Sequence, residues 1–265
     1  MSLTETVLAP KEAEAKLAAL VNAPEPTTII RPNDGSVTLP GGIVTEDGTV
    51  STSAEVRELN GADEEAIYKH TDIGKAMLAI LKRAVVSVNN EPLGQNTLDN
   101  LLSGDRETLL VAIRVATFGE EVVMTAMCPS CMETHSYKVS IVDDVATKTV
   151  DILQDRTWEL ELSKGQTAIV KLPDGKLQTA LFESANKTSQ ELNTLIIGGC
   201  LVSVNGASAA GTKTALKMSI KDRETVVRSI FDKSPGPRLG EVSKPCLSCG
   251  EIVPLPLSIP DIFRL

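Results

Sequence analysis

An internal repeat with an interval of about 117 residues is the strongest constraint that this sequence places on its fold. The repeated motifs keep the same order and nearly the same spacing. They are DRET (105–108 and 222–225), VVSVNN and LVSVNG (85–90 and 201–206), Gly119 and Gly236, and a Cys-x-x-Cys (128–131 and 246–249). The repeat predicts that one structural unit is used twice.

The order of sequence patterns within each copy predicts its secondary structure. The second copy starts with a strand in which Trp158, Leu160 and Leu162 alternate with acidic residues. Helical patterns then cover 73–88 and 189–204, and LPGG (39–42) is a weaker match to LPDG (172–175) as a glycine turn. We therefore expect an α+β fold in which each copy has a small antiparallel sheet and two helices. The expected domains are an amino-terminal arm (1–27), a first module (28–149) and a second module (150–265).

The DRET motif is expected to start the second helix of each module. Asp105 and Asp222 are residues that often cap helix N-termini, and Glu107 and Glu224 would follow in the first turn, where the helix dipole favours acids. Apolar residues recur behind each motif at helical spacing.

Each Cys-x-x-Cys is expected at the tip of a β-hairpin. After the first pair, His135, Tyr137, Val139 and Ile141 alternate with polar residues, which is typical of a strand. A thioredoxin-type redox pair would lie at a helix start. The strand context therefore favours a zinc knuckle.

Four thiolates, two from each copy, match the ligand set of a structural zinc site with no open coordination position. We expect Cys128, Cys131, Cys246 and Cys249 to bind one Zn²⁺. Four free thiols or two local disulfides are the alternatives. Cys200 lies in an apolar run and is expected to be a small buried residue. His70 is expected at the surface. His135 is expected to be an exposed strand residue, and the alternative is that it supports the metal ligands or replaces one of them.

Composition argues against several classes of function. Aromatic residues make up 3% of the chain, too few for a surface that stacks single-stranded bases, and the net charge of −9 opposes nucleic-acid binding. The longest apolar stretch (192–204) is too short to cross a bilayer, and the amino terminus lacks the pattern of a secretory signal. We therefore expect no membrane segment, and synthesis in a reducing cytoplasm.

No familiar catalytic motif is present. The sequence has no P-loop, no dinucleotide-binding glycine motif and no His-Glu-x-x-His, and two histidines leave few candidates for acid–base catalysis. We expect neither an enzymatic activity nor a small-molecule substrate.

The amino-terminal arm has the pattern of a short helix followed by a Pro-rich linker. Leu17, Leu20 and Val21 form a narrow apolar stripe on this helix. Such an arm either packs on its own domain or docks on a neighbouring subunit.

The run GDRETLLVAIRVATFGEEVVMTAMCPSC (104–131) resembles the T4-type (T-even-like) baseplate protein family of contractile-tailed bacteriophages. Similar segments occur at 56–67, at 170–176 and in CLSCGEIVPLPLSIPDIF (246–263). Met132 follows the first knuckle at a position where the family commonly has Gly. The resemblance implies a non-enzymatic component of the tail baseplate whose partners are other baseplate and tail subunits. The expected location is the virion.

Two alternatives remain open at this stage. The resemblance also fits an assembly chaperone for the baseplate hub that is absent from the mature virion. The paired cysteines fit a zinc-ribbon nucleic-acid-binding protein, although the acidic charge argues against it.

Overall fold

The computed structural model describes residues 35–45, 48–94, 96–184 and 186–263. The arm expected at 1–27 lies outside these ranges. The described chain combines helices with antiparallel sheets, which confirms the α+β class.

The first half forms a four-stranded antiparallel sheet, four helices and a hairpin. In chain order its elements are β1 (Ser36–Val44), β2 (Val50–Val56), α1 (Gly61–Ile67), α2 (Ile73–Ala84), β3 (Val85–Val88), β4 (Glu91–Pro92), α3 (Thr97–Asn100), α4 (Ser103–Phe118), β5 (Glu121–Met127) and β6 (Thr134–Ser140). The strand order is β1-β2-β3-β4, and β5 pairs with β6 in the hairpin.

The second half follows the same order, with two additional short strands and a final helix. Its elements are β7 (Thr147–Lys148), β8 (Thr157–Glu161), β9 (Thr167–Lys171), α5 (Gly175–Phe182), α6 (Ser189–Cys200), β10 (Leu201–Val204), β11 (Ala207–Ser208), α7 (Thr212–Lys217), α8 (Ile220–Lys233), β12 (Gly236–Pro237), β13 (Ser243–Pro245), β14 (Ile252–Pro254) and α9 (Ile259–Phe263). The sheet order is β8-β9-β10-β11, β12 pairs with β7, and β13 pairs with β14. Each half thus has four helices before its hairpin where the sequence indicated two, because helices of four to eight residues are too short to show a clear period.

The two sheets also share strand register. The facing pairs are Ala54 with Val88 and Val56 with Val85 in the first sheet, and Ala168 with Val204 and Val170 with Leu201 in the second. The last two strands of each sheet are joined by a two-residue turn in which both residues have positive φ, Asn89–Asn90 and Asn205–Gly206.

The helices expected over 73–88 and 189–204 end earlier than predicted. α2 stops at Ala84 and α6 at Cys200, and the following VVSV and LVSV segments are strands. An apolar run has no period that would mark this change. The valines pair with the neighbouring strands instead, where β-branched residues pack well.

The expected N-caps of the DRET helices were wrong by three positions. Leu102 and Ser219 are the N-cap residues, so Asp105 and Asp222 are the third helical residues. Each Asp instead ties its helix to the first part of its own sheet: Asp105 accepts from the Gly41 N–H (2.7 Å), and Asp222 from the Ser163 N–H (2.7 Å). Glu107 and Glu224 consequently lie beyond the first turn.

The match between LPGG and LPDG was also wrong. LPGG lies inside β1, whereas Asp174 of LPDG caps α5. The residue in the same place of the first half is Asn60, which caps α1.

The buried apolar residues form two clusters. The smaller one lies between the second sheet and its helices and includes Val170, Ile197 and Val226. The larger one joins the first sheet and its helices to both hairpins and to the carboxyl-terminal segment, including Leu255 and Ile262. The second hairpin therefore packs into the core of the first half.

Candidate metal centre

The first Cys-x-x-Cys forms the turn of a regular hairpin. Strands β5 and β6 pair in unbroken register up to Met127 and Thr134. The Cys128 N–H donates to the Glu133 carbonyl (2.8 Å), and the Met132 N–H donates to the Cys128 carbonyl (3.0 Å). These two bonds hold the turn closed.

The second Cys-x-x-Cys has the same backbone pattern. The Cys246 N–H donates to the Glu251 carbonyl (2.7 Å), and the Gly250 N–H donates to the Cys246 carbonyl (2.9 Å). The prediction that each pair lies at a hairpin tip is confirmed.

The two tips meet, and all four sulfurs lie within 4.8 Å of one another. Two short separations join the two hairpins: Cys128 Sγ to Cys249 Sγ (3.7 Å) and Cys131 Sγ to Cys246 Sγ (3.6 Å). All four predicted ligands are thus in one cluster, although their hairpins are more than a hundred residues apart in sequence.

The distances fit one tetrahedral metal ion. Zinc–thiolate bonds of about 2.3 Å place the sulfurs of a regular tetrahedron about 3.8 Å apart. A disulfide needs about 2.05 Å, and all five cysteines are free thiols. Four soft thiolates select zinc or iron over hard oxygen-preferring ions.

Backbone N–H groups point at the sulfurs. Those of Cys249 and Ser248 lower the pKa of the Cys246 thiol to about 6. The Glu133 N–H likewise lowers the pKa of Cys131, but burial and the other thiols outweigh it and raise that pKa to about 12. Without a cation, one thiolate in the cluster therefore disfavours the next, and a bound metal ion removes this conflict.

A polar contact joins the two tips beside the sulfurs. The Ser248 hydroxyl donates to the Glu133 carboxylate and contacts His135 Nε2 (3.0 Å). Ser130, at the same position of the first knuckle, is exposed and makes no side-chain hydrogen bond to the described residues. The sequence did not predict the contact with Ser248 and favoured an exposed position for His135 over one beside the metal ligands, because nothing local indicates which strand residue faces the other hairpin.

Tyr137 lies under the cluster. Its hydroxyl is buried and makes no hydrogen bond of good geometry to the described residues. Burial first, and then the charge of Cys246, raise its pKa. The sequence predicted correctly that Tyr137 shares one face of the strand with His135 and Val139. It did not predict that Tyr137 lies beside the thiols.

The remaining candidate residues lie away from the cluster. Cys200 is fully buried in the smaller core, as expected, and burial raises the pKa of its thiol to about 12. His70 is exposed, also as expected.

Comparison with protein families identifies the family. A family model described as T4 bacteriophage base plate protein matches residues 50–209, which is more than half of the chain. The chain belongs to this family. The resemblance seen in the sequence is thereby confirmed. The match includes Cys128 and Cys131 and ends before Cys246 and Cys249.

Searches of curated proteins and of solved structures give no match. Within the described ranges, every helix is too short or too polar to cross a membrane.

Proposed function

We propose that the chain is a non-enzymatic structural subunit of a phage tail baseplate that contacts other baseplate and tail subunits during assembly. The family match over residues 50–209 carries this proposal. The protein would be made in the host cytoplasm and incorporated into the virion. Its net charge of −9 argues against the nucleic-acid-binding alternative.

The cysteine cluster would serve this role by holding one structural Zn²⁺. Cys128, Cys131, Cys246 and Cys249 supply four sulfurs, so no coordination position is left for a water or a substrate. The ion would contribute a crosslink between the two hairpins. Support comes from the sulfur separations of 3.6 and 3.7 Å.

The chain would consist of two copies of one module, 28–149 and 150–265, preceded by an arm at 1–27. The common order of strands and helices and the common register of the two sheets support this proposal. A duplicated block of this kind offers two related surfaces for neighbouring subunits.

An inventory of purified virions by quantitative mass spectrometry tests the function. A structural subunit should be present in a fixed ratio to the other baseplate proteins. If infectious virions lack the chain although its gene is needed to produce them, the protein is an assembly chaperone and the proposal is wrong.

A further inference from the structure

The two halves contact each other through a segment of the first half and a groove of the second. The segment covers residues 98–107, from α3 into α4. Its Leu101 carbonyl accepts from the Gly175 N–H (2.8 Å), and its Ser103 N–H donates to the Pro173 carbonyl (2.9 Å). These hydrogen bonds join the two modules within one chain, and we call this contact the inner contact.

The groove that receives this segment lies between the start of α5 and the end of α8. It is lined by Pro173, Gln178, Leu181, Ile196, Phe231 and Pro235. Gly104 lies so close that a β-carbon there would be 1.8 Å from the Pro235 carbonyl oxygen. The groove is thus nearly filled, with about 180 Å³ left around the segment.

The first half has a groove in the same place. It lies between the start of α1 and the end of α4, which correspond in order to α5 and α8. Its helical walls are lined by Leu59, Glu64, Ile67, Ile80, Thr117 and Phe118, and Ile262 and Phe263 of α9 close one side of it. Its volume is about 560 Å³. Phe118 (60% exposed) and the neighbouring Tyr68 (64% exposed) show that apolar surface remains accessible there.

The second half has a segment that corresponds to 98–107. It covers residues 215–224, from α7 into α8, and carries two of the most exposed apolar side chains of the described chain. Ile220 is 77% exposed and Leu216 is 69% exposed. Exposed apolar residues on matching elements indicate an unused contact surface.

We propose that residues 215–224 of one copy of this chain insert into the groove at Tyr68 and Phe118 of a second copy, so that identical chains associate head to tail. The proposal rests on the modular duplication put forward above. It repeats between copies the contact that the two halves already make within one chain.

The size of the side chains favours residues 215–224 of a second copy as the occupant of the first-half groove. In the inner contact the inserted residues are Ser103 and Gly104, and the counterparts in the second half are Ile220 and Lys221. These larger side chains cannot approach as closely as Gly104 does, and the first-half groove has about 560 Å³ of unfilled volume to receive them.

The charges of the groove and of residues 215–224 also favour this contact. The groove has an acidic rim, with Glu64 and Glu121, and Glu120 lies beside it. Arg114 also lines the groove, but its guanidinium is buried and donates to the Ile262, Gly119 and Glu121 carbonyls. The segment carries Lys217 and Lys221. Like charges oppose the contact at Glu224. This residue corresponds to Glu107, which accepts from Gln178 in the inner contact, and the first half has Glu64 in the place of Gln178.

Such an interface is heterologous, because the groove and the segment are different surfaces. Each copy has one of each and can therefore bind two neighbours. Chains of this kind close into rings or grow into filaments, depending on the rotation between copies.

Sedimentation velocity of the full zinc-loaded chain over a range of concentrations tests the proposal. The wild type should form oligomers, and Phe118→Glu and Ile220→Glu should each weaken association about 30-fold or more. Mixing the two variants should give a 1:1 heterodimer that grows no further, because one groove and one segment remain intact. Leu153→Glu, at an exposed apolar site outside both surfaces, should associate like the wild type.

A wild type that stays monomeric up to its solubility limit would overturn the proposal, even if a different subunit were found to occupy the groove. So would a mixture of the two variants that stays monomeric. Neither result bears on the presence of the chain in virions, so the proposed function is tested independently of this proposal.

A substitution expected to strengthen association guards against effects of misfolding. Glu224→Gln removes the like charge and should tighten association about threefold, which mere damage to the fold would not do. Unchanged or weaker association of this variant would contradict the placement of Glu224 against Glu64.

Discussion

Met132, in the turn beside the metal centre, has a backbone conformation that is usual for Gly and unusual for other residues. It has a φ of 61° in the turn of the first knuckle, and Gly250 has a φ of 77° at the same position of the second. Left-handed backbone is unfavourable for residues with a β-carbon. The turn geometry therefore favours Gly over Met at this position.

Met132→Gly should increase the free energy of unfolding by about 1 kcal/mol, because it relieves this strain. Gly250→Met should lower it by a similar amount. Urea unfolding of both zinc-loaded variants measures the difference. A loss of stability in Met132→Gly would mean that the Met132 side chain contributes more than the strain costs.

Asp105 is a second residue at which the local environment has a measurable effect, in this case on the pKa of a carboxyl group. Burial raises the pKa of its carboxyl to about 6, although the Gly41 N–H opposes this shift. A folded-state pKa above the unfolded value means that the native state takes up a proton as the pH falls through 6. The free energy of unfolding therefore increases as the pH falls through 6.

The Asp105→Asn variant lacks this titration and keeps an acceptor for Gly41. Between pH 8 and pH 5, the wild type should gain about 1 kcal/mol of stability relative to the variant. Chemical unfolding at several pH values measures the difference, and the effect of pH on the metal site is common to both proteins. Parallel pH profiles would show that Asp105 titrates normally.

At the scale of elements, the strands and hairpins were easier to predict than the helix ends. Alternation of apolar and polar residues indicated β6 and β8 correctly. The change from α2 to β3 falls within a continuous apolar run, and only pairing with β2 decides it. Asp is common both at the N-cap and in the first turn, so DRET alone could not fix the helix start.

The contact between the hairpins was beyond sequence reasoning for a similar reason. The cysteine motifs predict that the tips share a metal, but not which other side chains meet. Ser248, Glu133 and His135 meet because of the angle at which the two hairpins approach, which the whole core determines.

Ser248→Ala should weaken zinc binding about tenfold, because it removes a polar contact that holds the two tips in position. Ser130→Ala is the matched control, since Ser130 has the same place in the other knuckle without this contact. Competition with a chromophoric zinc chelator measures both affinities. Equal affinities of the two variants would assign Ser248 no role in metal binding.

At the scale of the whole molecule, the hairpins join distant parts of the sequence. The first pair of cysteines and the second are separated by more than a hundred residues, and both hairpins share one core with the first half. The repeat made this arrangement predictable. The grooves that we assign to contacts between modules were not, because they are formed by helices too short to show in the sequence.

Removal of the metal should lower the free energy of unfolding by about 4–5 kcal/mol, the order expected for a crosslink that closes a loop of about 100 residues. Unfolding in the presence and absence of a strong zinc chelator measures this loss. Re-addition of zinc should restore stability. An unchanged unfolding curve would show that packing alone joins the hairpins.

Native mass spectrometry of the purified chain tests most directly whether one ion joins the two halves. The account predicts one zinc ion per wild-type chain and per Cys200→Ala chain, and none in the double variant Cys246→Ser/Cys249→Ser. A metal-free wild type, or a double variant that still binds one ion through Cys128 and Cys131, would contradict it.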